Sequence, residues 1–209
     1  YLNDEGKNVE TREGYLKYLT LLLGEAGYAD PAEAAGRVMA LETEIAKAHW
    51  DRTVGRNRNL TYNKMSKADL LAQGGEFPVE AMLAGLKISD QQEFVVRQVT
   101  PDAEEIAELG LTDEQVEKIS GGGIAGIMSV MANADLDDWK AYLTAHFLSD
   151  HAAVLPKKID DASFEFYSKQ LRGQEEQRPR WKRAVGAVEG SLGEAVGKVY
   201  AARHFPSEN

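Results

Sequence analysis

The chain contains no cysteine, and it has only four histidines and six prolines among its 209 residues. Without cysteine it has no disulfide framework and no thiolate metal site, and the redox compartment is undetermined. No apolar run approaches the ~20 residues that a membrane-spanning helix needs. The chain begins at Tyr1-Leu2 with neither an initiator methionine nor a signal-peptide pattern. We therefore expect an excised piece of a longer protein, with any export signal in the removed part.

Positive charge is also scarce, because 24 lysines and arginines face 34 aspartates and glutamates and leave a formal net charge of −10. This balance argues against nucleic acid or an anionic membrane as the main partner, since both need a basic surface. The apolar content of 43% is typical of a globular protein. We expect a single domain over residues 1–209, because no linker demands two.

The motifs of common catalytic sites are absent. There is no H-E-x-x-H, E-x-x-H or G-x-S-x-G sequence, and His146 and His151 lie five residues apart, which places them on different faces of a helix. Paired acids such as Glu42 and Glu44 are expected to be solvated surface groups. We predict no catalytic, cofactor-binding or metal-binding residue in this chain, and ordinary surface or packing roles for the four histidines.

Residues 121–126, Gly-Gly-Gly-Ile-Ala-Gly, formally match the dinucleotide-binding pattern G-x-G-x-x-G. That fingerprint needs a buried strand before it and an acidic residue about 20 positions later. The preceding residues 114–119 have the pattern of a polar helix instead. We interpret the glycine run as a flexible hinge between helices.

Helical periodicity dominates the sequence. An apolar face between Val9 and Gly27 predicts a helix that Gly27 terminates. Asp30 and Pro31 then provide an N-cap and a first-turn proline for a second helix that ends near His49. Further helices are predicted near residue 66, from Pro78, within 101–118, and over 124–134, 135–151 and 159–171. Only residues 93–99 are β-rich, and they predict a minor extended segment.

The stretch from Arg178 to Phe205 predicts a long helix with two stripes. The first is apolar and contains Trp181, Val185, Val188, Leu192, Val196 and Val199. The second contains Gly186, Gly190, Gly193 and Gly197. Each glycine costs about 0.5–1 kcal/mol relative to alanine within a helix, so we expect another element to lie against the glycine stripe. The predicted fold class is all-α, with irregularly arranged helices around this long central C-terminal helix.

Charge is segregated along the chain. Residues 101–118 carry seven acidic side chains against one lysine and predict two short exposed helices, and the whole of 101–123 looks like an acidic insertion. Basic residues cluster at 52–58 and 178–183, where we expect salt bridges to an acidic face within the chain or across an interface. Arg56, Arg58 and Lys64, beside Tyr62 and Asn63, could instead bind a carboxylate.

Two stretches resemble the neprilysin family of zinc metallopeptidases, peptidase family M13. One spans Arg37–Leu70 and includes the sequence Tyr-Asn-Lys-Met-Ser at 62–66. The other spans Arg180–Phe205 and includes Trp181, Glu-Ala-Val-Gly at 194–197, and Tyr200. Their order and spacing also fit, and the resemblance covers most of the chain, most weakly at 101–123.

The resemblance implies the helical cap region of a zinc-dependent endopeptidase, which closes over a thermolysin-like catalytic domain and restricts substrates to peptides. The family's zinc ligands, catalytic glutamate and substrate-binding Asn-Ala motif lie downstream, and no position here matches them. The implied partners are peptide substrates and the missing C-terminal catalytic domain. The implied location of the parent protein is periplasmic or extracellular, and this chain alone is expected to be inactive.

An alternative interpretation is a free-standing helical interaction module without catalytic activity, which would use the acidic segment or the glycine stripe. The residues that follow Asn209 distinguish the two interpretations. A cap excised from its enzyme exposes apolar surface, so we also expect the excised fragment to form a homo-oligomer.

Overall fold

The computed structural model describes residues 1–205, and the chain divides into two compact units, one of residues 1–163 and one from residue 164 onward. The first unit contains α1 (Lys7–Glu25), α2 (Pro31–Ala48), α3 (Arg58–Thr61), β1 (Asn63–Ser66), α4 (Lys67–Gln73), α5 (Val79–Gly85), β2 (Glu93–Val96), α6 (Ala103–Glu108), α7 (Asp113–Lys118), α8 (Gly123–Asn133), α9 (Leu136–Asp150) and α10 (Lys157–Ser163). The second contains a π-helical segment (Phe164–Gln170) and α11 (Arg180–His204). The predicted helical class is confirmed, and the single-domain assignment stays a prediction.

The turn between α1 and α2 forms as the sequence predicts. Gly27 has a φ of +85°, its N–H bonds to Gly24 O at 3.1 Å, and the N–H of Tyr28 bonds to Leu23 O at 3.1 Å. These two bonds form a Schellman motif, which satisfies the last carbonyls of α1. The Asp30 side chain then accepts a bond from Glu33 N at 3.0 Å and caps α2.

The core of the first unit lies where α1 packs on α2, and α2 also contacts α8 and α9. Leu22 and Leu23 of α1 and Val38 of α2 are fully buried. Burying a side chain of this size stabilises the fold by about 1.5–3 kcal/mol. From α9 the buried side chains are the small Ala141 and Ala145. The core therefore depends on the large residues of α1 and α2.

The extended segment predicted at 93–99 is present as β2, and it pairs antiparallel with β1 in a register that runs from Asn63↔Val96 to Ser66↔Glu93. The sequence did not reveal β1, because Asn-Lys-Met-Ser is short and has low β propensity. Met65, Phe94 and Val96 pack against a buried cluster formed by Leu70, Val79, Leu83 and Met128. A two-stranded ribbon is marginal by itself, so this packing holds it in place.

The glycine run at 121–123 is closely packed, and its interpretation as a flexible hinge was wrong. A Cβ atom on Gly121 would overlap the carbonyl oxygen of Lys47 and lie 3.0 Å from those of Ala48 and His49. A Cβ on Gly123, which has a φ of +55°, would overlap Gln98 O. Gly121 is required because the loop lies directly on the C-terminal carbonyls of α2, and Gly123 is required because it lies against the Gln98 carbonyl.

The expectation that another element of this chain lies against the last helix was also wrong. A Cβ added at Gly186, Gly190, Gly193 or Gly197 would meet no atom within 4 Å, and the apolar stripe of α11 is exposed. The backbone also leaves helical geometry at Leu192 (φ −128°, ψ 23°), so the two stripes do not follow one straight axis. A glycine stripe shows that a face can accept a close neighbour, but it does not show which polypeptide supplies that neighbour.

Gly121→Ala is expected to lower the free energy of unfolding of the first unit by at least about 2 kcal/mol, because the new methyl group overlaps backbone atoms. Gly36→Ala provides the matched control, since Gly36 is an exposed residue within α2 with open space at its Cβ position. This control should raise the free energy of unfolding by about 0.5–1 kcal/mol. Urea denaturation followed by circular dichroism measures both, and similar effects from the two substitutions would contradict the close packing.

Candidate functional site

The four histidines lie in separate environments. His49 Nδ1 is 3.2 Å from Gln98 Oε1, and His146 Nε2 is 2.8 Å from Glu42 Oε1. His151 Nδ1 is 2.8 Å from the Phe147 carbonyl oxygen of its own helix, and the His204 ring lies 4.6 Å from that of Tyr200. Each histidine therefore has an individual packing or hydrogen-bonding role.

Zinc, which the resemblance implies for the parent protein, has no fitting donor set in the described part of the chain. Residues 1–205 contain no group of three or more histidine, aspartate, glutamate or cysteine side chains able to hold a metal ion. A catalytic zinc site needs three such protein ligands. No zinc ligand set can therefore be assigned within residues 1–205, and the absence of catalytic, metal-binding and cofactor-binding residues stays a prediction.

The most connected ionisable group is the Glu42 carboxylate, which the sequence had wrongly suggested to be a solvated surface group. Glu42 is 7% exposed and lies on the face of α2 that contacts α1 and α9. Its Oε1 accepts a hydrogen bond from Tyr15 Oη at 2.9 Å and lies 2.8 Å from His146 Nε2. Its Oε2 accepts from Tyr1 Oη at 2.5 Å. The carboxylate thus joins the N-terminal segment, α1, α2 and α9.

Aromatic rings surround this carboxylate. The Tyr142 ring lies 4.2 Å from the His146 ring and packs edge-on against Trp139 at 5.4 Å, and Tyr1 packs edge-on against Tyr15 at 6.4 Å. Burial raises the pKa of the Tyr142 phenol, and the negative charges of Glu42 and Asp150 raise it further. The phenol therefore stays neutral beside the carboxylate. The cluster resembles a packed polar core more than a reactive centre.

A groove of about 510 Å³ lies between α2, α8 and α9, with Arg37, Leu41, Val130 and Asp138 among its lining residues. Arg37 Nε is 2.8 Å from Asp138 Oδ1, and Arg37 Nη1 is 2.7 Å from Glu33 Oε1. Two carboxylates thus neutralise its one guanidinium, and the groove has no free positive charge for an anionic ligand.

The basic loop at 52–58 lacks the intramolecular salt bridges that its charge suggested. Arg52, Arg56 and Arg58 are exposed, and within the described residues none of them forms an ion pair. Lys64 does form one, with Glu93 Oε1 at 2.7 Å. Near the second basic cluster, Arg183 Nε donates to Arg178 O at 3.2 Å.

The family model of the N-terminal part of peptidase family M13 matches residues 1–209. The chain belongs to peptidase family M13. This finding confirms the resemblance that the two sequence stretches carry, and the match includes the acidic segment at 101–123.

Relatives of this M13 chain include a human protein and a bacterial protease of known structure. It is 24% identical over 223 residues to human membrane metallo-endopeptidase-like 1, and this alignment covers 100% of the chain and 26% of the human protein. It is 28% identical to the Mycobacterium tuberculosis zinc metalloprotease Zmp1. The cryo-EM structure of Zmp1 in its open state superposes with a TM-score of 0.74, and the crystal structure of an inhibitor complex superposes with a TM-score of 0.75.

These matches cover 97% of the chain but only 28–29% of the Zmp1 chain, so the M13 chain spans little more than a quarter of the length of its relatives. Across residues 1–205, no helix combines the length and apolar character required for a membrane span.

Sequence inspection missed the Glu42 network, although a signal was present. Glu42 follows Leu41 and stands four residues after Val38, so it falls on the apolar face of α2. A carboxylate at such a position is buried only if polar partners reach it. Those partners come from residues 1, 15 and 146, which no local pattern connects to residue 42.

Glu42→Ala is expected to lower the free energy of unfolding of the first unit by about 2–4 kcal/mol, because it leaves the buried Tyr15 hydroxyl without its acceptor and opens a cavity. Glu44→Ala, two residues away on the same helix, removes only an exposed ion pair with Lys47 and should change the free energy by less than about 0.5 kcal/mol. Urea denaturation of both variants measures the difference. A cost for Glu42→Ala as small as that of its neighbour would show that the network contributes nothing to stability.

Proposed function

We propose that this chain is the helical cap region of a zinc-dependent M13 endopeptidase, where it encloses the active-site cleft and restricts substrates to peptides. The observation that carries the proposal is the match of the M13 N-terminal model to residues 1–209, together with a fold shared with about 28–29% of the Zmp1 protease. The similarity to inhibitor-bound and open Zmp1 is equally close, with TM-scores of 0.75 and 0.74. The superposition on a partially open state of the same protease has a lower TM-score, 0.63.

In this proposal the chain encloses the active-site cleft, and the zinc ligands and catalytic residues come from the C-terminal part of the longer polypeptide. The substrates are peptides, and the parent protein acts in the periplasm or outside the cell. The human relative, whose name describes a membrane metallo-endopeptidase-like protein, supports this location.

Exposed apolar surface in both units supports a missing partner. In the second unit, Trp181 is 65% exposed and Leu192 58% exposed on α11. In the first unit, Leu143 and Phe147 project from α9 with 61% and 60% of their surfaces exposed. Large apolar side chains exposed at helical spacing, as on α9 and on α11, are typical of an interaction site. We assign the C-terminal catalytic part of the same polypeptide as the partner that covers it.

This arrangement explains the glycine stripe of α11. The open space at Gly186, Gly190, Gly193 and Gly197 would let a backbone of the missing part approach closely. The expected close neighbour is then present in the longer polypeptide, and the helix cost of about 0.5–1 kcal/mol for each glycine is offset there by packing.

Peptide hydrolysis tests whether the catalytic residues lie outside this chain and whether the chain restricts the size of substrates. The 209-residue chain is expected to show no zinc-dependent hydrolysis, whereas the longer polypeptide should cleave a short peptide far faster than the same sequence placed in a folded protein, because the cap excludes large substrates. Mass spectrometry of the products measures both. Hydrolysis by the 209-residue chain that chelation abolishes and zinc restores would contradict the inactive-cap proposal, and equal cleavage of the folded protein would contradict size restriction.

The exposed surface of α11 also predicts self-association of the isolated chain. Sedimentation velocity should show a mass that rises with concentration, and Leu192→Glu should shift the chain toward monomer because it introduces a charge into the apolar stripe. Ser191→Glu adds the same charge at an exposed polar position of the same helix and should leave the association unchanged. A wild-type chain that stays monomeric at every concentration would count against an uncovered interface.

A further inference from the structure

Four exposed arginines of the first unit lie on one loop or are bonded to it, and we call them the arginine surface: Arg52, Arg56, Arg58 and Arg97. The first three lie within seven residues, along a 3₁₀ turn (Val54–Arg56) and the start of α3. Arg97 follows β2, and its Nη2 donates to Gly55 O at 3.0 Å. This bond brings the fourth guanidinium to the loop that carries the other three.

No carboxylate of the described residues neutralises the arginine surface, although acidic residues are numerous nearby. Neighbouring lysines are paired, as Lys64 is with Glu93 at 2.7 Å and Lys118 with Glu114 at 2.6 Å. None of the four arginines takes part in such a pair within residues 1–205. The surface therefore retains up to four positive charges on a chain whose net charge is −10.

Asp51, the only acidic residue between positions 51 and 64, is engaged elsewhere. Its Oδ1 accepts a bond from Thr53 N at 2.8 Å and another from the Thr53 hydroxyl. These bonds lower the pKa of Asp51, and the charge of Lys118 lowers it further. The carboxylate thus faces Thr53 and Lys118, and it leaves the adjacent guanidinium groups available.

Apolar side chains border the arginine surface. Val95 and Arg97 are both exposed. They are alternate residues along β2 and its extension, so both lie on the outer face of the two-stranded ribbon. Tyr62 precedes β1 beside Asn63, which pairs with Val96, and its ring is also exposed. Guanidinium groups with an exposed aromatic ring and an exposed β-branched side chain on neighbouring residues suit a peptide that carries both carboxylates and apolar residues.

We propose that the arginine surface binds an extended acidic segment of a peptide or protein, with its carboxylates paired to Arg56 and Arg58. A nucleic acid fits less well, because Glu105 and Glu108 of α6 line a cavity of about 350 Å³ together with Asn59 and Asn63. These glutamates would repel a long polyanion that extends from Arg58 past Asn59 and Asn63, so a nucleic acid is less favourable there than an acidic peptide segment centred on the arginines. The inference concerns residues 1–205 alone and does not depend on the function of the longer polypeptide.

The test uses a fluorescently labelled peptide in which glutamate alternates with valine, titrated with the 209-residue chain at low salt and followed by anisotropy. Saturable binding is expected, and it should weaken at high salt because exposed charges are screened. Arg56→Glu/Arg58→Glu should weaken it at least about tenfold. Arg56→Gln/Arg58→Gln should weaken it less, and circular dichroism confirms that each variant is folded.

Lys7→Glu/Lys17→Glu is the matched control, because it changes the net charge equally at two exposed lysines of α1. This variant should bind within about twofold of the wild type. Three results would overturn the proposal: no saturable binding at low salt, an equal loss in the α1 control, or tighter binding of a single-stranded oligonucleotide of the same charge.

Discussion

The C-terminus of α2 is the point on which the arrangement of the first unit depends. Gly121 lies so close to three carbonyl oxygens that a residue with a Cβ atom does not fit there. These are the carbonyl oxygens of Lys47, Ala48 and His49. Gln98 reinforces the contact, since its side chain accepts from Trp50 N at 2.9 Å and its carbonyl accepts from Ile124 N at 2.8 Å. Both ends of the acidic segment and the start of the basic loop are thus fixed at one place.

The acidic segment is anchored by the buried side chain of Ile119, which packs with Trp50, although α6 and α7 bury no residue. Its status as an insertion stays a prediction.

The two units differ in how much of their own apolar surface they bury. The first has a core of buried leucines and a buried carboxylate with three polar partners. In the second, α11 buries none of its side chains. An amphipathic helix gains most of its stability from burial of its apolar face. The cap proposal explains this contrast, and it also explains why the chain aligns with only 26% of the human relative.

Local chemistry was predictable from the sequence, and long-range contacts were not. The Gly27 turn, the Asp30 cap and the helical class follow from steric and hydrogen-bonding rules that act within a few residues. The glycines show the limit of such local rules. The interpretations of the run at 121–123 and of the stripe on α11 both rested on the spacing of glycines, and both were wrong. The run at 121–123 is packed and the stripe on α11 is open, since the partner of a glycine lies elsewhere in the chain or outside it. β1 and the Glu42 network were missed for the same reason: residues 27 or more positions apart create them.

Hydrogen exchange tests the central claim of the cap proposal, that the first unit buries its own apolar core whereas α11 is covered only in the longer polypeptide. The amide of Ile124, bonded to Gln98, should be protected in the 209-residue chain, whereas the amides of α11 should exchange rapidly at concentrations too low for self-association. In the longer polypeptide the α11 amides should become strongly protected, because the catalytic part then covers both stripes. Equal protection of α11 in the two forms would contradict the account.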